Sequence, residues 1–126
     1  MPVMTTIDTR RNLIIHAVDG ALTPAGIGRA FKEVMGHPDY QPGLNALWDV
    51  RSGHVQVGPE EARQLNRSSA GIRRKHGPGK LAVVVSRAVD DGSARLIGTY
   101  ALTGPVEYKV FGEMLIDLAH NWRLPA

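Results

Sequence analysis

The chain contains no cysteine. Disulfides, thiolate catalysis, iron–sulfur clusters and thiolate zinc sites are therefore excluded. It also lacks any apolar run near the length of about 20 residues that a bilayer crossing requires. Met1 to Thr9 show no basic patch followed by an apolar stretch, so the expected location is the cytoplasm, with no leader removed. Aromatic residues make up only 6% of the chain; with most of these on core-facing positions and no recognisable nucleic-acid motif, nucleic acid is a poor partner. The histidines, His16, His37, His54, His76 and His120, form no pair at helical metal spacing and have no carboxylate arranged to complete a ligand set. No metal and no cofactor are expected.

What is present is ordinary for a globular protein. A chain of 126 residues, 43% hydrophobic and 21% charged, has the size and composition of a single domain, 1–126, with one core. The net charge is +3, which permits anionic partners without requiring them. Its distribution is uneven: Arg51, Arg63, Arg67, Arg73, Arg74, Lys75 and Lys80 face only Glu60 and Glu61 in the middle of the chain.

Hydrophobic spacing orders the elements. Thr6 to Val18 read as two extended segments around Arg10, Arg11 and Asn12, an opening hairpin. Asp19-Gly20 supplies a turn, Thr23 an N-cap and Pro24 a first helical position, since a side-chain oxygen and a missing N–H both suit a helix start. Ile27, Ala30, Phe31 and Val34 then share a face. Gly26 and Gly28 each cost this helix about 1 kcal/mol relative to alanine, and their missing side chains would allow close packing on a sheet. Gly36 ends it. Leu44 to Val50, an apolar run bounded by loop signals and by Arg51-Ser52-Gly53, suits a central strand buried on both faces.

A brief extended piece, His54 to Val57, precedes Gly58-Pro59-Glu60-Glu61, which opens a second helix with proline and carboxylates in its first turn. On that helix Arg63, Arg67 and Arg74 fall within roughly 40° of one another, opposite Ala62, Leu65, Ser69 and Ile72. Gly77-Pro78-Gly79 stops the helix, and Leu81 to Val85 is the next strand. A third helix starts at Asp90-Asp91, Val106 to Val110 forms a strand, and Phe111, Met114, Leu115, Leu118 and Trp122 make a last amphipathic helix. The order ββαβ(β)αβαβα predicts an α/β domain with a mixed sheet covered by helices, because parallel strands need helical crossovers.

That order resembles the SpoIIAA-like branch of the STAS superfamily, as do four local strings: Asp19-Gly20-Ala21-Leu22-Thr23; His37-Pro38-Asp39-Tyr40 with Gly43-Leu44-Asn45; Leu47-Trp48-Asp49-Val50-Arg51; and Val110-Phe111 leading to Ala119 and Trp122. The resemblance covers essentially the whole chain. It implies a four- or five-stranded mixed sheet with helices and a likeness to the lipid-carrying CRAL-TRIO domain. Founding members of the superfamily are anti-sigma factor antagonists that bind a kinase-like partner and are switched by phosphorylation of a serine in an Asp-Ser-Ser-Gly-like turn at a helix start. The nearest candidate here is Ser52, followed by Gly53 and then by extended residues, so a phosphoryl group there would lack the helix N-terminus that favours an anion.

Three functions follow as expectations. The first is a non-catalytic regulatory or interaction module of STAS type with a protein partner, and a homodimer, as small bacterial domains of this sort often are. The second is a carrier of a small apolar or amphipathic ligand, and the third an enzyme of unknown chemistry. Asp49 and Arg51 are the strongest binding candidates, because they end a central strand at the edge where open α/β sheets bind ligands. A turn-capping aspartate paired with an arginine explains the same two residues. Ser86, Arg87, Asp90 and Asp91 could share that edge. Arg63, Arg67 and Arg74 form a candidate docking stripe, against which stands a solvated helix face with Glu60 and Arg63 paired. His16, in a predicted strand, reads as a half-buried, hydrogen-bonded ring. Gly77-Pro78-Gly79-Lys80 has neither the spacing nor the following helix of a phosphate loop. No serine, histidine and acid converge in sequence, so no catalytic residue is assigned.

Overall fold

Alternation of buried and exposed side chains sets in at Val3. The computed structural model describes residues 3–65, 67, 79–86, 92, 94–95 and 106–112, with 79 and 106–112 as backbone only. Strand β1 spans Val3–Asp8 and β2 spans Leu13–Leu22. They pair antiparallel in unbroken register, from Val3 opposite Val18 to Asp8 opposite Leu13. The reversal between them is locally encoded: Asp8 Oδ1 accepts the backbone N–H groups of Arg10 and Arg11, and Asn12 takes a φ of 53°, which asparagine tolerates better than most residues.

Helix α1 spans Pro24–Met35. Thr23 Oγ1 accepts the Gly26 N–H at 3.2 Å, satisfying one of the orphan donors of the first turn. Ile27, Ala30 and Val34 are buried and Phe31 packs beside them, the face expected from their spacing. Close packing at the helix glycines is not observed. A Cβ on Gly26 would meet Thr23 Oγ1 at an ordinary 3.5 Å, and one on Gly28 nothing within 4 Å.

Strands β3 (Asn45–Val55), β4 (Gly79–Val85) and β5 (Val106–Gly112) complete a five-stranded sheet in the order β1-β2-β3-β4-β5. From β2 to β5 each neighbour is parallel. Residues 59–65 are helical, and helical backbone recurs at 92 and 94–95, in the crossovers that parallel strands demand. The central position expected for Leu44 to Val50 is the one β3 occupies. Trp48, Val50, Val83 and Val85 join Ile27 and Ala30 in one core cluster on the α1 face, while Leu13, Leu47, Ala82 and Val84 form another on the opposite face. Burial on both faces is why the β3 sequence reads as a run without alternation.

Three boundaries differ from those expected. Asp19-Gly20 is not a turn between elements, because β2 runs on to Leu22 with a register shift between Ala17 and Asp19 and Gly20 at φ +91°. Arg51-Ser52-Gly53 does not end the central strand either: β3 continues to Val55, absorbing the extended piece begun at His54. Both follow from one contact. Gly20 faces Gly53 across the ladder just past the register shift, and a Cβ on Gly53 would lie 2.5 Å from the Gly20 carbonyl oxygen, so the pair of glycines lets the two strands stay together beyond the bulge. Lastly, Phe111 lies in β5, opposite Val84, because pairing to β4 holds the chain extended as far as Gly112. The rest of the expected last helix, with Trp122, lies outside the described residues, as does most of the third.

Candidate functional site

The irregular stretch creates the site. β3 pairs with β2 as far as Leu22 opposite Val55, yet its pairing with β4 stops at Asp49 opposite Val84. β1 reaches only to Val3 opposite Val18. Among the described residues, Asp19–Leu22 and Ser52–Val55 therefore form a two-stranded parallel ribbon standing beyond the carboxyl ends of β4 and β5.

Asp49 and Arg51 occupy the step where the ribbon leaves the sheet. Asp49 alternates with Trp48 and Val50 of the α1-side core and so projects from the opposite face; the Arg51 side chain meets it there, although β3 sets Val50 and Arg51 against the single Val18 of β2 at the register shift. Arg51 Nε donates to Asp49 Oδ1 at 2.8 Å and Arg51 Nη2 to Asp49 Oδ2 at 2.7 Å, a bidentate pair. The Arg51 backbone N–H adds a 3.2 Å bond to Oδ1. Ser86, just past β4, donates from Oγ to the Arg51 carbonyl oxygen at 3.0 Å, tying the end of β4 to the base of the ribbon. The side chains of Arg51 and Asp49 remain 37% and 21% exposed, so screening leaves the pair at most about 1 kcal/mol of stability. Its consequence is geometric, since a fork held by three hydrogen bonds has few conformations left to lose. Asp49 lies in mid-strand rather than at the strand's end, but it does mark the carboxyl end of the β3–β4 ladder.

Ser52 lies on the ribbon, exposed, with exposed Asp19 as its ladder partner. A phosphoryl group there would meet a like-charged neighbour and extended backbone, with the next described helical residue only at 59. Arg63 and Arg67 belong to the helix that begins at 59. That helix opens as expected: the Glu61 carboxylate accepts the Gly58 N–H at 2.9 Å and Ala62 N–H bonds back to the Gly58 carbonyl. Glu60 meets Arg63 at 3.3 Å and Arg67 at 3.8 Å, so two arginines of the stripe share one exposed carboxylate. Arg74, like Arg73, Lys75, Arg87, Asp90 and Asp91, lies outside the described residues.

His16 is more deeply buried than expected, at 2% exposure. Its Nδ1 shares a 2.9 Å hydrogen bond with Thr5 Oγ1, and its ring stacks on Trp48 with centroids 4.0 Å apart. Phe31 meets Trp48 edge-on. Burial drives the imidazole pKa down to about 3, leaving a neutral ring on the α1 face, away from Asp49. Asn45 was not singled out in the sequence. It is buried, its Oδ1 accepts the Lys80 N–H at 2.9 Å, and its own N–H bonds the Asn12 carbonyl. A lone amide heading an apolar run was the available signal. Among the described residues no three histidines or carboxylates gather as a metal site, and no helix is long and apolar enough to cross a membrane.

The arrangement has a solved likeness. An uncharacterised protein of the DUF3478 family from Shewanella loihica PV-4, whose structure is described as SpoIIAA-like, matches 97% of this chain and 94% of its own at a TM-score of 0.59 and 16% identity. The chain has a SpoIIAA-like fold. At that identity the likeness extends to the fold alone. No protein-family model and no curated protein matches the sequence.

Proposed function

We propose that this SpoIIAA-like domain is a non-catalytic interaction module of STAS type, docking a protein partner at the carboxyl edge of its sheet around Asp49 and Arg51. The observation that carries the reading is the fork itself: an exposed, bidentate, backbone-anchored ion pair at the step beneath a ribbon that rises above the neighbouring strands. Such a pair presents charge in a set position, so a partner binds it with little further ordering cost. The Asp49 and Arg51 charges balance each other, which suits polar recognition more than general acid–base chemistry. Arg63 and Arg67, already sharing Glu60, are assigned to the solvated surface.

Affinity capture followed by cross-linking mass spectrometry tests this. Cross-links from the partner should map to residues 49–56, and Arg51→Gln should lose the partner without loss of fold. Capture should also weaken with salt, because exposed charges are screened beyond about 10 Å at 0.1 M. Partner retention by both Arg51→Gln and Asp49→Asn would overturn the docking site. A native mass spectrum showing a bound apolar small molecule would replace the reading with the carrier alternative.

A further inference from the structure

We propose that β1 pairs edge to edge with β1 of a second copy of this chain, about a two-fold axis at Thr5, joining two five-stranded sheets into one. Among the described residues β1 is the terminal strand of the sheet. Edge strands usually carry lysine, proline, a bulge or an inward charge that stops them pairing with another chain. Val3–Asp8 reads Val-Met-Thr-Thr-Ile-Asp, with none of the first two, and its ladder with β2 runs without a bulge. Met4, on the face opposite α1, is 70% exposed, and Thr6 on the same face is exposed as well.

Symmetry selects the register. A two-fold axis perpendicular to the sheet keeps each face on its own side, so odd positions must oppose odd positions and even oppose even. Centred on Thr5, the pairing sets Val3 against the partner's Ile7 and Thr5 against the partner's Thr5 on the α1 face, with Met4 against the partner's Thr6 on the other. Val3 and Ile7 already contribute to the α1-side clusters, so the apolar layer continues across the axis. Centring on Thr6 would instead oppose Met4 to the partner's Asp8.

Charge favours a second copy as the occupant. Asp8 is the strand's one ionisable side chain, and in the Thr5-centred register it falls outside the paired positions. The two Asp8 carboxylates then lie at opposite ends of the ladder, about 20 Å apart at roughly 3.4 Å per residue. That separation exceeds the physiological screening length of about 8 Å, so their repulsion is negligible.

Sedimentation velocity over a concentration series, from low micromolar to near millimolar, reads the association directly. Wild type should pass from monomer to dimer. The double variant Met4→Lys/Thr6→Lys, which sets like charges opposite one another twice across the axis, should dimerise about tenfold more weakly or worse, with an unchanged melting curve by circular dichroism. Because the chain has no cysteine, a second experiment tests the register: Met4→Cys mixed with Thr6→Cys should form a disulfide-linked dimer faster than either variant alone. Wild type that stays monomeric throughout, a dimer indifferent to the double lysine variant, or cross-linking no faster in the mixture would each overturn the proposal. Arg51 and Asp49 are untouched in these variants, so the outcome is independent of partner docking at the carboxyl edge.

Discussion

Acidification should destabilise this domain through His16. The folded pKa is about 3 against the ordinary 6.5 of a solvated imidazole, because a charged ring buried against Trp48 would lose its water. The unfolded chain therefore binds the proton more readily, and stability falls as pH falls. The contribution is complete above 6.5, declines through the window down to about 3, and is lost at about 1.4 kcal/mol per pH unit in its steep part. Between pH 7.5 and pH 5 the loss comes to about 2 kcal/mol, a large share of the roughly 5 to 15 kcal/mol that holds a domain folded. Urea titrations at half-unit steps across that range would measure it, with His16→Phe as the comparison. Phenylalanine keeps a ring against Trp48 and removes the titrating group, so this variant should show a much flatter pH dependence, even though it gives up the Thr5 hydrogen bond. Equal slopes for wild type and His16→Phe would refute the assignment and place the acid sensitivity elsewhere.

Two further changes probe the geometry that builds the site. Gly53→Ala would set a Cβ 2.5 Å from the Gly20 carbonyl oxygen; a rigid backbone neighbour cannot yield cheaply, so a loss of about 1 to 3 kcal/mol is expected in urea unfolding, and a loss under about 0.5 kcal/mol would mean the ribbon opens freely. Asn45→Ala removes the acceptor for the Lys80 N–H and should cost about 1 to 3 kcal/mol for the orphaned donor, with faster amide exchange at Lys80 as the local sign; exchange unchanged there would show that another group takes over.

By itself the sequence determined those elements whose causes are local. Thr23 and Pro24 start α1 and the three- and four-residue spacing of its apolar side chains aims it at the sheet, because capping and periodicity act within one or two turns. The apolar run at Leu44 to Val50 was sufficient to place a strand at the centre, and Gly58 to Glu61 to open the next helix. Tertiary structure decided whatever depended on a distant partner. A glycine pair reads as two turns until Gly20 and Gly53 are brought face to face, since the left-handed φ of Gly20 that suits a turn is also tolerated within a strand, and Gly53 is needed only because the Gly20 carbonyl approaches it so closely. The spacing of Asp49 and Arg51 puts them on one side of a strand, but their exposure comes from β4 ending at Val85 while β3 continues. Alternation along β2 places His16 on a face without saying how deep; its burial and its neutral ring come with the tertiary packing that stacks Trp48 of β3 against it. Local chemistry chose the elements, and the unequal lengths of neighbouring strands chose which side chains stand at the carboxyl edge.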